Sequence, residues 1–447
     1  MIANKFAKDT IIFAIGEILP KILSFVLLPV FTQYLLPSDY GIIGYINAVI
    51  SLLPVLVTFS LASFLIRFYF DMNSENDRRN LFGNVFVFIS ISNISFFIFG
   101  LLFFPRIIDF FQLNISWNPY FKIAFITFFL EVFSIIPVVR FRVKEQAFNF
   151  VLINFSKVFL QYVLILILIV FYDYGLLGYY YGSLLPLIPM TIIYFILTFR
   201  FININFNFNQ IKVGLNYAVP LMVSAITFML LNYSDRFILE RYISLSTLGL
   251  YNIAFTIAFS LNIIIMSGYK AIEPEIFKRF NQNSFEEFIN KSKSIYFFIL
   301  YFFALTISIF SYELITILAP ESYIDAAKYI PILMISVLMT GQNVIWGGIL
   351  TAEKKTKIIG KGTVFGTLIN ILMNIIFIPK YGVYGAALTS AFSFMVVNIY
   401  YYRNVNLNSK SMNMEIASLF SYIVLISFIY IFFNSEISFA SILSKIL

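Results

Sequence analysis

Neither cysteine nor histidine occurs anywhere in the 447 residues. Disulfides are therefore impossible, thiolate and imidazole metal sites are ruled out, and so is acid–base catalysis by histidine. Charge is scarce too, at 12% of positions, where soluble globular chains carry about 25%. Apolar residues fill 60% of the chain, more than a soluble fold of this length has interior to hide. The clean alternation of a membrane β-strand is also missing.

What is present is a series of long apolar runs. A helix needs about 20 such residues to cross a hydrocarbon layer about 30 Å thick. The runs fall at 10–36, 42–66, 81–104, 119–139, 148–172, 176–199, 214–234, 247–268, 294–318, 329–352, 358–378, 382–402 and 416–433. The first follows Lys5 and Lys8 as a signal peptide would, but it runs from Thr10 to Leu36 with no small-residue cleavage site. It reads as an uncleaved span. Ile437–Leu447 is too short to cross alone. The fold class expected is an all-α polytopic membrane protein of about 12–14 transmembrane helices.

With the N-terminus cytoplasmic, 21 of the 30 basic residues fall on inner segments and six on outer ones: Arg106, Arg236, Arg241, Lys328, Lys380 and Lys445. Lys21, Lys122 and Lys157 lie within spans. This asymmetry sets the orientation and accounts for the net charge of +8, so no nucleic-acid partner is expected.

The chain repeats itself. Tyr40-Gly41-Ile42 corresponds to Leu248-Gly249-Leu250 at an offset of 208. Tyr174-Gly175-Leu176-Leu177-Gly178 corresponds to Tyr381-Gly382-Val383-Tyr384-Gly385 at 207, and Lys144-Glu145 to Ala352-Glu353 at 208. Six helices per copy put both copies in the membrane the same way up, related by an axis along the membrane normal. The expected divisions are an N-lobe at 1–200, a cytoplasmic linker at 201–213, a C-lobe at 214–403 and an additional C-terminal transmembrane segment at 404–447.

Ionisable groups at mid-bilayer cost about 2.5–3.5 kcal/mol each, so each needs a reason. Glu17 and Lys21 are four apart in span one; Glu131 and Lys157 lie in spans four and five. Two readings stand: interhelical pairing within the first lobe, or the lining of a water-filled cavity. The second-lobe spans show no charge in their middles. Span eleven carries Gly362, Gly366, Asn370 and Asn374 at intervals of four, a face turned into the bundle. Arg67 and Lys122 lie close enough to span ends to snorkel.

Leu28-Pro29-Val30-Phe31-Thr32-Gln33-Tyr34-Leu35-Leu36-Pro37-Ser38-Asp39-Tyr40-Gly41 resembles the end of helix one in polysaccharide biosynthesis proteins, the Wzx-type O-antigen and capsule flippases of the MATE-like superfamily. Ser234-Asp235-Arg236-Phe237-Ile238-Leu239 with Leu248-Gly249-Leu250-Tyr251-Asn252 is similar to the matching second-lobe segment. The resemblance implies two six-helix lobes plus a C-terminal helix in the bacterial cytoplasmic membrane. The implied activity is transport of an undecaprenyl-pyrophosphate-linked oligosaccharide to the outer leaflet by alternating access, and not enzymatic chemistry. It also implies membrane lipids, the polymerase and other polysaccharide-assembly proteins as partners, no cofactor, and coupling to protons or sodium. Candidate cargo contacts are Lys21, Lys157, Arg67, Lys270, Asn370 and Asn374; candidate coupling carboxylates are Glu17 and Glu131. The mid-membrane charges balance, two against two, so a strongly cationic cavity is not evident. Three rivals stand beside this reading. A lipid II flippase differs only in cargo. A multidrug exporter of the same fold favours an uncompensated acidic cavity. A membrane polymerase usually needs a large outer loop, and an acyltransferase usually needs histidine.

The basic asymmetry makes a topological prediction. A tag at Met1 or within residues 281–285 is reachable only from the cytoplasm, and one within residues 114–118 from outside. Labelling of intact cells at Phe285 refutes the orientation.

Overall fold

The computed structural model describes residues 22–280, 282–407 and 419–427, with Ile12, Gly16, Leu19 and Pro20. Every described element is helical: α1 (Leu28–Tyr34), α2 (Pro37–Thr58), α3 (Leu61–Tyr69), α4 (Glu75–Phe111), α5 (Trp117–Val143), α6 (Ala147–Phe171), α7 (Gly175–Phe199), α8 (Phe208–Tyr242), α9 (Leu245–Arg279), α10 (Phe285–Ile309), α11 (Ser311–Leu318), α12 (Glu321–Ala352) and α13 (Thr356–Asn404). Among the described residues ten helices are long and apolar enough to cross a membrane, all but α1, α3 and α11. They coincide with expected spans two to twelve, because α13 holds spans eleven and twelve across a break at Gly382. The first and thirteenth expected spans lie partly outside the described residues. The chain is a multi-pass membrane protein. Large apolar side chains face outward, such as Phe110, Phe171 and Phe298, while amides such as Asn84, Asn93, Asn374 and Asn398 are buried. That inversion suits a lipid solvent.

Packing divides the chain into two units. One holds the chain through Leu35 together with Ile46–Ile226, and the other holds Leu36–Tyr45 and the chain from Thr227 on. The division falls inside α8 rather than in the connecting stretch, and the reason lies at residues 201–210. Asn203 donates its backbone N–H to Arg79 O at 3.2 Å and its amide to Asn76 Oδ1 at 2.7 Å. Its own carbonyl lies against Gly83, where any Cβ would come within 1.9 Å of it. Asn207 donates N–H to Asn84 Oδ1 at 2.6 Å and caps α8 by accepting from Gln210 N at 3.2 Å. Phe201 is buried under Arg140, whose guanidinium lies 4.1 Å above the ring. The asparagine-rich stretch is therefore a strap fixed to α4. Beside it, Lys144 bonds both oxygens of Glu75 at 3.0 Å and holds that carboxyl below the usual carboxylate range.

The repeat has a physical basis at two of its three motifs. Gly175 and Gly382, the equivalent glycines, both have positive φ, at 49° and 54°, as each begins the helix after an abrupt turn. Within the second unit the starts of α2 and α9 cross. A Cβ on Gly41 would lie 2.1 Å from Leu245 O, and one on Gly249 would lie 1.7 Å from Pro37 O. Leu245 follows Pro37 by 208 residues, as Gly249 follows Gly41, so the crossing is reciprocal. Gly44 faces Asn252, again 208 residues on.

α2 and α3 are one expected span broken at Phe59 and Ser60, both in the left-handed region at φ 51° and 56°. Deepest in the second unit is α12, with 67% of its most apolar window buried, against 17% for α6 in the first.

The crossing yields a stability prediction. Gly249→Val sets a side chain against backbone that has no freedom to retreat, costing about 3 kcal/mol or more. Gly360→Val, with nothing within 4 Å, is the control and costs only helix propensity. Thermal melting in detergent with the same midpoint for both variants refutes the tight crossing.

Candidate functional site

Glu131 and Lys157 do meet. Lys157 Nζ lies 2.6 Å from Glu131 Oε1, joining α5 to α6 inside the first unit. α5 tightens into a 3-10 turn at Val132–Ser134, immediately after Glu131, and Pro137 follows three residues on. Proline removes a backbone donor from the ladder, so this stretch cannot run as uninterrupted α-helix. An apolar core of Phe141, Phe150, Ile153, Leu187, Met190 and Tyr194 packs the same helices together. The pair is lopsided in its exposure: the Lys157 side chain is 16% exposed and that of Glu131 is 47%. The carboxylate sits at the middle of a 27-residue apolar helix with the Lys157 ammonium as its partner, and one side of it remains uncovered by the protein. The position supports both readings at once, a tie between helices and an opening onto a wet face.

The other expected residues are placed as follows. Glu17 and Lys21 lie outside the described residues. Arg67 ends α3 in a two-pronged ion pair with Asp71, both bonds 2.8 Å, on an exposed surface where such a pair contributes little. Lys270 is exposed on α9. Asn370 and Asn374 are fully buried and bonded to one another at 3.0 Å. Asn370 accepts from Ser234 at 2.8 Å, Asn374 accepts from Thr389, and the cluster stitches α8 to both arms of α13. That face points into the bundle, as its spacing indicates, and its amides are spent on packing.

The sequence places Arg236 among the outer basic residues, just past the end of an expected span, and the structure shows that it is buried. α8 continues to Tyr242, two turns past the expected end of the span, and takes its charges inside the fold. Asp235, Arg236 and Glu240 are 3%, 3% and 0% exposed. Arg236 bonds Asp235 at 3.1 Å and Asn252 Oδ1 at 3.0 Å, with the rings of Tyr233, Tyr251 and Phe255 around its guanidinium. Tyr251 donates its hydroxyl to Asp235, and Asn252 donates onward to Tyr40 O at 3.3 Å. A second hidden cation is Lys293, 4% exposed, with its ammonium 4.4 Å above the Trp346 ring. The legible signal was the aromatic pair Tyr251 and Phe255, four apart beside Asn252, which supplies a cation with ring faces and an amide.

The model of a family described as Polysaccharide biosynthesis protein matches residues 6–280, and one described as MatE matches residues 220–376. An uncharacterized membrane protein of Haemophilus influenzae is 24% identical over 403 residues, spanning 85% of this chain and 94% of its own. A protein of the same organism named Lsg locus putative protein 1 is 22% identical over 400 residues, 86% of this chain and 95% of its own. Among solved structures, lipid II flippase MurJ in an inward closed conformation aligns with a TM-score of 0.75 at 16% identity, over 94% of this chain and 92% of that one. An inward-facing multidrug resistance MATE transporter aligns with a TM-score of 0.70 at 13% identity, over 94% and 98%. The fold is one shared with transporters and flippases.

The two roles of the ion pair separate in a stability experiment. Lys157→Ala strands the Glu131 carboxylate. A fully buried partner would lose about 3–5 kcal/mol, and the half-exposure of Glu131 reduces this to about 1–3 kcal/mol. Glu131→Gln with Lys157→Met removes both charges and recovers most of the loss in detergent melting curves. A double variant no more stable than Lys157→Ala argues against a structural tie.

Proposed function

The chain belongs to the polysaccharide biosynthesis protein family, and on that premise we propose that it carries a lipid-linked oligosaccharide across the membrane. The cargo in this reading is an undecaprenyl-pyrophosphate-linked repeat unit of O-antigen, capsule or exopolysaccharide type, taken from the cytoplasmic to the outer leaflet by alternating access. The observation that carries the reading is the Lys157–Glu131 pair, a cation held mid-span by a carboxylate that is itself half-open. A diphosphate crossing hydrocarbon needs a cation and water along its route. A carboxylate holds the ammonium while no cargo is present, and an arriving diphosphate, with more charge, takes it over.

Around this centre the proposal keeps two six-helix lobes with a further C-terminal helix and a cytoplasmic N-terminus. Lys21 is a second cation for the diphosphate, and Arg67 and Lys270 are first contacts at the cytoplasmic mouth. Asn370 and Asn374, spent on packing, hold the second lobe in shape for the cargo. Glu131, with Glu17, is the group through which a proton or sodium gradient acts. The family match and the name of the Haemophilus influenzae Lsg protein support a polysaccharide-assembly setting, with the polymerase of that assembly as a downstream partner.

A second reading has one specific support: the fold likeness to lipid II flippase MurJ favours peptidoglycan precursor as cargo. The MATE exporter reading is weakened by Lys157, which already neutralises the carboxylate that an organic cation would seek.

The deciding experiment is surface glycan in a strain lacking this gene, with protein levels checked by blot. Lys157→Ala abolishes surface glycan, leaving lipid-linked oligosaccharide inside; Lys157→Arg retains part of it. Glu131→Gln weakens dependence on the ion gradient in reconstituted vesicles. Full surface glycan with Lys157→Ala refutes the diphosphate role.

A further inference from the structure

One helical turn beyond Lys157, about 6 Å along α6, the character of the first unit changes from charged to aromatic and amide-rich. Gln161 donates its amide to Ser183 O on α7 at 2.8 Å. Tyr162, beside it, stacks on Phe31 with ring centroids 5.8 Å apart. Tyr179 stands one turn before Ser183 on α7, within electrostatic range of Tyr162 and of Asn47 on α2. Three helices thus bring two tyrosines and two carboxamides to one face. Asn47 is exposed, and Gln161, Tyr162 and Tyr179 are half-buried, although all four lie within apolar spans.

That exposure identifies the surroundings. A carboxamide facing lipid tails has no partner, so a face carrying an open asparagine is a wet one. Its chemistry then selects the occupant. Lipid tails have no use for amides. An organic cation needs a carboxylate, and Glu131, the nearest among the described residues, is engaged with Lys157. A phosphate needs cations, and among the described residues this face has none of its own. A pyranose ring matches each element: its apolar C–H face covers a tyrosine ring, and its hydroxyls both donate and accept, as amides and phenols do.

We propose that the Asn47–Gln161–Tyr162–Tyr179 face binds the first saccharide of the cargo, next to the cation that meets its diphosphate. This rests on the reading of the chain as a carrier of lipid-linked sugar, and it adds what that reading lacks, a place where the sugar itself is recognised. The spacing is consistent with the cargo. Diphosphate and first sugar are directly bonded, and their protein partners are one helical turn apart on the same helix.

The test uses the full chain in nanodiscs and three probes: a polyprenyl diphosphate, and the same lipid bearing a single N-acetylglucosamine or a single galactose. Affinities are read by thermophoresis. The wild-type chain is expected to bind one sugar-bearing lipid about tenfold more tightly than the bare one. Tyr162→Ala and Gln161→Leu bring the ratio to about one without changing affinity for the bare lipid, while Lys157→Ala weakens all three alike. Tyr162→Phe, which keeps the ring and its stack, retains most of the sugar increment and guards against misfolding of the alanine variant. An increment that survives in Tyr162→Ala and Gln161→Leu, or one absent from the wild type with both sugars, overturns the sugar site and leaves the carrier reading standing. No binding of any diphosphate lipid above that of the free prenol overturns the carrier reading itself.

Discussion

Hydrocarbon offers no partner to an amide, a hydroxyl or a charge, so every such group in this chain must be met by another or by water. The second unit meets much of the demand internally. Ser234, Asn370, Asn374 and Thr389 bond one another, and Arg236 is closed in by Asp235, Asn252 and three aromatic rings. The first unit meets it only in part. Glu131 and Asn47 remain partly uncovered by the protein. The contrast between a sealed polar interior and an open one is what separates packing from a candidate path.

The fold was largely legible because the bilayer imposes a length. Runs of about 20 apolar residues mapped onto helices, and the turns were marked by glycines whose backbone conformation other residues resist. Gly175 and Gly382 are the plainest case, equivalent in sequence and alike in φ. Gly41 and Gly249 carried more than their motif revealed, since no periodicity shows that two backbones will touch. Where hydropathy ended a span too early, as at residue 234, the cause was a charge taken to mark the membrane surface. Asp235 and Arg236 neutralise each other, and a neutralised pair does not have to leave the helix.

Part of the candidate site was legible, and for the same reason. Glu131 and Lys157 stood out as charges in apolar runs, and their pairing follows once two helices are adjacent. Tyr162 and Tyr179 passed unnoticed, because a chain with 29 tyrosines and 56 phenylalanines gives no weight to any one ring. Only the spatial meeting of α2, α6 and α7 distinguishes them. Asn370 and Asn374 show the converse. Their spacing revealed an inward face, and spacing cannot tell whether an inward amide meets a ligand or another amide.

The strap at residues 201–210 bears on how the protein is made. Its notch on α4, formed by Gly83 and Asn84, is complete long before the ribosome reaches Asn203 and Asn207, so it stands ready as a template when the strap emerges. Docking there also sets the first turn of α8, because Asn207 both bonds Asn84 and caps that helix. The first half of the chain thus fixes where the second half begins to enter the bilayer. A gene split for expression in two pieces keeps strap and notch on one piece only if the break comes after α8 has begun; a cut at residue 200 puts them on separate pieces, and the docking that starts α8 becomes an association between chains.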